Sequence, residues 1–504
     1  MNSTHPRKRK PIEKPRSKRP PERRSKPRAP EPPTLQVLRN SLDEVKRARE
    51  RGEPLTLEWA LPGFFDAFLG FLEGLGLREA LAKIPDPRRD PVVPLVPLVY
   101  CIFCRFLMGF ESFQEVGDVL LRHPDLLEKL GFTVALVEEG AYPSTGQVPF
   151  NVECFSEVLR HLDWREFREV LVAVVKQLRA ANPKLFRGGV FLIDSTHFQS
   201  AARHVGKEQE ERERDGEEKA CLLLFWTPHG QIPVDFRIAS TEAGGEGETT
   251  CGQALMEGAF ETYGPGFIKE IRWDRGYLDG PWLADAEERL KIRWVMGVKE
   301  NMAIFKDALG LAMAEETVWE EGRPPKLNDP RKRPKRWLCR FDELMTWEGY
   351  GKPLVALVIK DVYPGEIRYQ VVVTPTTKWS AVQIHERHRS RWDIEEFYDV
   401  LTVYWGLGRK LLARRGDVYR TLVSVMVLLS ALLQLFEATG AEKKTLQQYQ
   451  RAFKLGPTHL IVRCGGWFAV LRPREVNALI NLKPSVEGAE AGSVSREIGM
   501  SRGP

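Results

Sequence analysis

The sequence predicts an α/β protein in which a mixed sheet with flanking helices follows an all-helical N-terminal segment. Three observations carry the prediction. Over residues 35–185, apolar side chains recur at three- and four-residue spacing and the breaks carry Pro or Gly, the period of amphipathic helices. From 186 the texture changes to short apolar runs rich in β-branched and aromatic residues, alternating with helix-length segments. A second strand-rich stretch, 336–375, precedes the last helices.

In order, the helical segment reads "LQVLRNSLDEVKRARERG", "LPGFFDAFLGFLEGLGLREALAKI", "VPLVYCIFCRFLMGF", "SFQEVGDVLLRHPDLLEKLGF" and "VECFSEVLRHLDWREFREVLVAVVKQLRAA", with a loop at 136–150. Strands are expected at 188–194, 220–226 and 231–238, the last two joined by the turn "TPHG". A helix at 251–262, a strand at 267–273, a helix near 281–290, a strand at 292–298 and a helix near 301–313 follow. Three strands followed by helix-strand-helix-strand make a mixed sheet. After "RWLCRFDEL", "PLVALVIKDV" and "IRYQVVVTP" comes one long helix from about 380 to 405, then a helical tail.

A chain of 504 residues, 42% hydrophobic, buries a large core and divides into two or three domains. Its seven cysteines have no disulfide or zinc spacing, and Cys101 and Cys104, inside the apolar "LVYCIFCRFL", read as core thiols of a reduced, cytoplasmic protein. No apolar leader follows the first residues. The apolar stretch 91–110 holds Pro94, Pro97 and Arg105, and 421–436 is shorter than the roughly 20 residues a membrane span needs. Both read as buried helices. Residues 1–34 hold twelve Lys/Arg against three Glu and nine prolines, while the whole chain is only +6. That segment reads as a disordered cationic arm, and with basic clusters at 323–336 and 409–415 it points to a nucleic-acid partner.

Two expected strands end in a carboxylate. "FLIDST" (191–196) delivers Asp194 and "IRWDRGY" (271–277) delivers Asp274. Singly, each is explained as a turn-forming acid. Together they could lie side by side at the carboxyl edge of one sheet, where open α/β sheets gather ligand sites. A third acid would then come from something packed over that edge. In "HRSRWDIEEFYDVL" (388–401), a continuous helix puts Glu395 and His388 within about 60° of Arg391, bordering the face of Ile394, Phe397 and Leu401, and turns Glu396 away. The plain alternative is an Arg391–Glu395 ion pair on an amphipathic helix. Ser195 and Thr196 read as turn residues.

These residues resemble the DDE transposases of bacterial insertion sequences, whose catalytic domain is RNase H-like. There the first Asp ends the first strand, the second Asp follows the fourth, and the Glu sits on a late helix; Asp194, Asp274 and Glu395 fit that order. "WDRGY" and "RWDIEEF" are similar to the family's motifs at its second Asp and its Glu, and "PDPRRDP", "GFESFQEVGDVL" and "HLDWREFREVL" to the helical region before the catalytic domain, so the resemblance covers roughly residues 80–430. The family's Glu motif, Tyr-x2-Arg-x3-Glu-x6-Lys, is matched at Arg391 and Glu395, with His388 and Thr402 at the other two places. One branch of the family inserts strands between the second Asp and the Glu, which corresponds to a β-rich insertion near 315–378 here.

The resemblance implies an RNase H-like catalytic domain over 186–410, DNA end binding by 35–185, a helical region at 411–480 and a disordered tail at 481–504. It implies that Asp194, Asp274 and Glu395 are catalytic and hold two Mg²⁺ ions, with Mn²⁺ as a substitute. In-line cleavage of a phosphodiester needs an activated oxygen and a stabilised 3′ oxyanion, which two ions about 3.5–4 Å apart can serve. Arg391, His388, Arg409, Lys410, Arg414 and Arg415 are the implied DNA contacts, with terminal inverted repeats and target DNA as partners and a homodimer on the paired ends. The function expected is cleavage and strand transfer at the ends of an insertion sequence. An RNase H-like nuclease without strand transfer, and a DNA-binding descendant that no longer cleaves, are the alternatives.

Overall fold

The computed structural model describes residues 37–38, 41–59, 62–142, 144, 149–198, 218–227, 230–240, 246–314, 316–325, 333–399, 401, 405, 416–439, 448–450, 453, 460–464, 466–471 and 475. Two compact units emerge: Met1–Leu57 with Ile461–Leu471 and Lys483–Pro504, and Glu58–Leu460 with Arg472–Leu482.

The chain enters through β1 (Val37–Leu38), α1 (Leu42–Glu50) and β2 (Leu55–Trp59). Ser41 starts α1 by accepting a hydrogen bond from the Glu44 amide, and Asp43 and Glu44 occupy the first turn, where the helix dipole favours negative charge. Helices α2 (Pro62–Gly74), α3 (Leu77–Leu81), α4 (Leu95–Leu107), α5 (Phe113–Val119), α6 (Pro124–Leu130), α7 (Val134–Glu139), α8 (Glu153–His161) and α9 (Trp164–Ala181) follow. In α9, capped by Asp163, the residues Phe167, Val170, Leu171, Val174, Val175 and Leu178 make one buried stripe at helical spacing. Cys101 and Cys104 are buried core thiols, as their apolar setting predicts, and all seven cysteines are free.

From residue 190 the strands are β3 (Val190–Phe198), β4 (Glu218–Thr227) and β5 (Gly230–Ser240), then α10 (Glu248–Tyr263), β6 (Glu270–Trp273), α11 (Gly280–Leu290), β7 (Arg293–Gly297) and α12 (Ala303–Ala312). After these come β8 (Glu320–Gly322), β9 (Lys335–Leu344), β10 (Leu354–Tyr363) and β11 (Glu366–Thr374). All nine belong to one mixed sheet in the order β5-β4-β3-β6-β7-β11-β10-β9-β8. β3, β6 and β7 run parallel to one another, and the outer strands are antiparallel. The β-rich insertion therefore extends the main sheet, docking β11 on β7 through Val372↔Gly297 and Val373↔Met296.

The long helix expected over 380–405 is broken. It consists of α13 (Ala381–Arg389), a 3₁₀ turn over Ser390–Trp392, and α14 (Asp393–Asp399). Ser380 and Gln383 form a reciprocal capping box that starts α13. The break lies where Ser390 Oγ donates to the Arg387 carbonyl at 2.8 Å and accepts from Arg272 of β6. On the far side, Asp393 accepts from the Trp226 indole of β4 at 2.8 Å. Such long-range anchors outweigh the local preference for a continuous helix.

The last long helix, α15 (Gly416–Ala438), packs on α9 and β5. Its Val418–Ala438 stretch exceeds the length counted from sequence and is long and apolar enough to cross a membrane, yet most of it is buried inside the protein. One apolar core runs from Phe65 through Leu171, Ile193, Trp273 and Leu428 to Phe453. The boundaries expected at 185/186 and 410/411 therefore separate no compact units, because α9 and α15 bury their apolar stripes against the sheet. A smaller core under α13 joins Val295, Leu338, Leu357, Val372, Trp379 and Ile384.

The chain closes with β12 (Leu460–Cys464) and β13 (Trp467–Leu471), which with the entry strands form a sheet in the order β1-β13-β12-β2. This corrects two expectations, a purely helical segment at 35–185 and a purely helical region at 411–480. Leu55-Thr-Leu-Glu-Trp59 does alternate at strand period, but its partners lie some 400 residues further along the chain.

Candidate active site

The parallel register of β3 and β6 ends at Ile193↔Trp273. The next residues are Asp194 and Asp274, so the topology sets the two acids side by side. Asp194 does not end its strand, as the sequence led us to expect. β3 continues to Phe198, held by antiparallel pairs to β4 from Asp194↔Leu222 to Phe198↔Glu218. What ends at Asp194 is the pairing with β6, and that opens the edge. Asp274 caps the 3₁₀ turn Arg275–Tyr277 by accepting from the Gly276 amide.

Between the acids lies Arg391. One guanidinium nitrogen, Nη1, stands 3.4 Å from Asp194 Oδ2 and 3.3 Å from Asp274 Oδ1. Asp194 Oδ1 accepts from the Ser195 amide at 2.8 Å. Burial pushes the Asp194 carboxyl up to about 6; the Ser195 amide and Arg391 oppose this, while Asp274 and Glu248 reinforce it. Arg391 therefore does not form the Arg391–Glu395 pair that a continuous helix allows, and the 3₁₀ turn turns it inward. Among the described residues its Nε is buried and makes no hydrogen bond.

Asp274, Arg391, His388, Trp392 and Glu395 line one cleft of about 760 Å³. Glu395 is exposed on its wall. Among the described residues no three His, Cys, Asp or Glu side chains stand close enough to hold a metal ion. The structure thus joins Asp194 to Asp274 through Arg391, while Glu395 lies on the cleft lined by Asp274 and Arg391, of which Asp194 is not a lining residue. The fit to a hard divalent cation rests on the pair: two adjacent, half-buried carboxylates already share a positive group. Oxygen-rich, anionic surroundings of that kind are what Mg²⁺ prefers.

His388 is half-buried on the cleft, and burial followed by the charge of Arg391 lowers its pKa to about 3, so it is neutral near pH 7. Of the other expected DNA contacts, Arg409, Lys410, Arg414 and Arg415 lie outside the described residues, as do Thr402 and the basic arm. Arg336, counted in the basic cluster 323–336, is not a surface cation. It is 8% exposed, forked onto Asp361 at 2.6 Å and beside His385.

Sequence reasoning missed Glu248 and Lys219, and read Ser195 as a turn residue. Glu248 opens α10, accepts from Ser195 Oγ, and pairs with Lys219 of β4 at 2.6 Å. Strand pairing brings Lys219 near Asp194 and the packing of α10 brings Glu248; no spacing in the sequence links them.

Residues 186–431 match the family model described as the transposase DDE domain. The matched segment holds Asp194, Asp274, Arg391 and Glu395. Over that segment, just under half of the chain, the protein is similar to a transposase catalytic domain, and the match supports an enzyme that cleaves and transposes DNA. Among solved structures it is similar to one described as a piggyBac transposase synaptic complex with hairpin DNA, at 12% identity and a TM-score of 0.39, covering 78% of this chain and 80% of that one. No curated protein matches it.

Proposed function

We propose that the chain cuts DNA at the ends of an insertion sequence and joins the 3′ ends to target DNA, using Asp194, Asp274 and Glu395 with Mg²⁺. The observation that carries this reading is the Asp194–Arg391–Asp274 cluster at an open sheet edge, inside a segment matched by the transposase DDE domain. Strand register sets Asp194 beside Asp274, and Glu395 lies one turn beyond Arg391 on the cleft that Asp274 and Arg391 line. These three would hold the divalent ions, which supply activation of the attacking oxygen and stabilisation of the departing one.

In cleavage, a water oxygen attacks phosphorus in line, the P–O3′ bond breaks, and O3′ leaves with the electron pair and is protonated. In joining, the freed 3′ hydroxyl attacks a target phosphodiester in the same way. Arg391 serves the acids as counter-ion and, on the cleft wall, is placed to meet a phosphate oxygen near the cut. His388, neutral at working pH, is a hydrogen-bonding group on the cleft. The substrates are terminal inverted repeats and target DNA, held by a homodimer at the bacterial nucleoid in the cytoplasm.

The test is cleavage and joining of a DNA carrying the element's ends in Mg²⁺ by Asp194→Asn, Asp274→Asn and Glu395→Gln. Each variant is expected to bind ends like the wild type and to cut undetectably. Wild-type cleavage by any of the three removes that residue from the centre, and cutting without joining by the wild-type chain would leave a nuclease.

A further inference from the structure

From the geometry we infer that Glu248 is a positioning residue for Asp194, acting through Ser195. The inference rests on the reading of Asp194 as catalytic and adds a group outside the three acids. Glu248 is the first residue of α10, whose N-cap, Gly247, offers no side chain to cap the helix. One Glu248 carboxylate oxygen accepts from Ser195 Oγ, and the other receives Lys219 Nζ at 2.6 Å. Ser195 in turn gives its amide to Asp194 Oδ1 at 2.8 Å. Lys219 sits on β4, two residues before Cys221, the registered partner of Ser195.

The connection runs from helix to serine to acid, and it solves a mechanical problem. Beyond Ile193 the strand β3 has lost β6 as a neighbour, so the peptide after Asp194 is supported from one side only, by β4. Glu248 supplies the missing hold by tying the Ser195 side chain to α10. With that peptide fixed, the Ser195 amide aims at Oδ1 and leaves Oδ2 facing Arg391 and Asp274. An outer hydrogen bond of this kind fixes the orientation of a ligating carboxylate, and its loss typically lowers metal affinity or activity about 10–100-fold.

An ordinary reading competes. A glutamate at a helix start is favourable on its own account, through the helix dipole and the Lys219 pair. The two differ in their predicted dependence on Ser195, because a dipole or surface-pair role does not need the serine hydroxyl.

The test uses the full-length chain with Glu248→Ala, Glu248→Gln, Ser195→Ala, the Glu248→Ala/Ser195→Ala double variant, and Asp194→Asn as reference. Single-turnover cleavage of pre-bound DNA, DNA affinity, thermal unfolding and Mn²⁺ binding without DNA are measured for each. Glu248→Ala and Ser195→Ala are expected to cut about 10–100-fold more slowly and to bind Mn²⁺ more weakly, with DNA affinity unchanged. Glu248→Gln, which keeps an oxygen acceptor for Ser195, should recover most of the rate. The double variant should be no slower than the worse single one, since both cut the same connection. Wild-type rates for both alanine variants, multiplicative losses in the double variant, or a Gln variant as slow as Ala would overturn the inference. If Asp194→Asn cuts like the wild type, the catalytic reading fails instead, whatever Glu248 does.

Discussion

Arg391 stands between Asp194 and Asp274 with one nitrogen 3.4 and 3.3 Å from their oxygens, so any divalent ion held by the pair competes with it. Arg391→Ala should therefore bind Mn²⁺ at least about tenfold more tightly in DNA-free protein, a change of only about 1.4 kcal/mol, while cleavage falls because a phosphate contact is lost. Electron paramagnetic resonance titration reads the first effect; unchanged or weaker Mn²⁺ binding would show that the arginine does not occupy the cation's place. Asp194 supplies a second expectation. Its carboxyl is raised from 3.8 to about 6, chiefly by burial, so its contribution to stability is fully present below the unfolded value and is lost as pH rises through about 6. The loss is on the order of 3 kcal/mol. Asp194→Asn escapes it, so melting temperature of the variant minus wild type, in metal-free buffer, should climb between pH 4 and 6.5. A flat difference would mean that Asp194 ionises there without penalty.

The break between α13 and α14 is the element that sets the cleft, since Arg391 lies within it and Glu395 one turn after it. Asp393→Ala would strip the Trp226 indole of its acceptor, at a cost of about 1–3 kcal/mol. With α14 loosened, cleavage should fall more than DNA affinity, as single-turnover rates and binding isotherms on the same DNA would show; equal losses would mean a general fold defect. Strands were legible in the sequence wherever apolar runs meet turn residues, which is why β4, β5 and β7 fall within two residues of their expected bounds. The break was not legible. No Pro or Gly marks 390–392, and its causes, Arg272 and Trp226, lie more than 100 residues away. The end of β3 was misread for a similar reason: Ser195-Thr-His-Phe198 looks like a turn until β4 pairs with it. The two aspartates were legible because each follows an apolar run, whereas the partner of Arg391 depended on the break.

At the scale of the molecule, the charge of residues 1–34 and the buried length of α15 make separate claims. Deleting the arm, which lies outside the described residues, should weaken DNA binding across all sequences and flatten its salt dependence by about 0.9 in log–log slope per lost phosphate contact. Cleavage at saturating DNA should survive, and an unchanged slope would show that the arm makes no phosphate contacts. Leu428, fully buried in α15, belongs to the core shared by the helices and the sheet, so Leu428→Ala should cost about 2–5 kcal/mol. One cooperative transition should register it, read alike by a probe on the nine-stranded sheet and a probe on α15; separate transitions for these two probes would contradict a single core. The position of α15 in the chain also governs when the enzyme comes into being. β5 leaves the ribosome long before the helix that covers it, and at about 5–20 residues per second roughly 12–50 s pass between synthesis of Asp194 and of Ala438. Throughout that interval the nascent sheet lacks part of its core, so activity is expected to await the helix that covers it, and a chain ending before Gly416 is expected to cut no DNA.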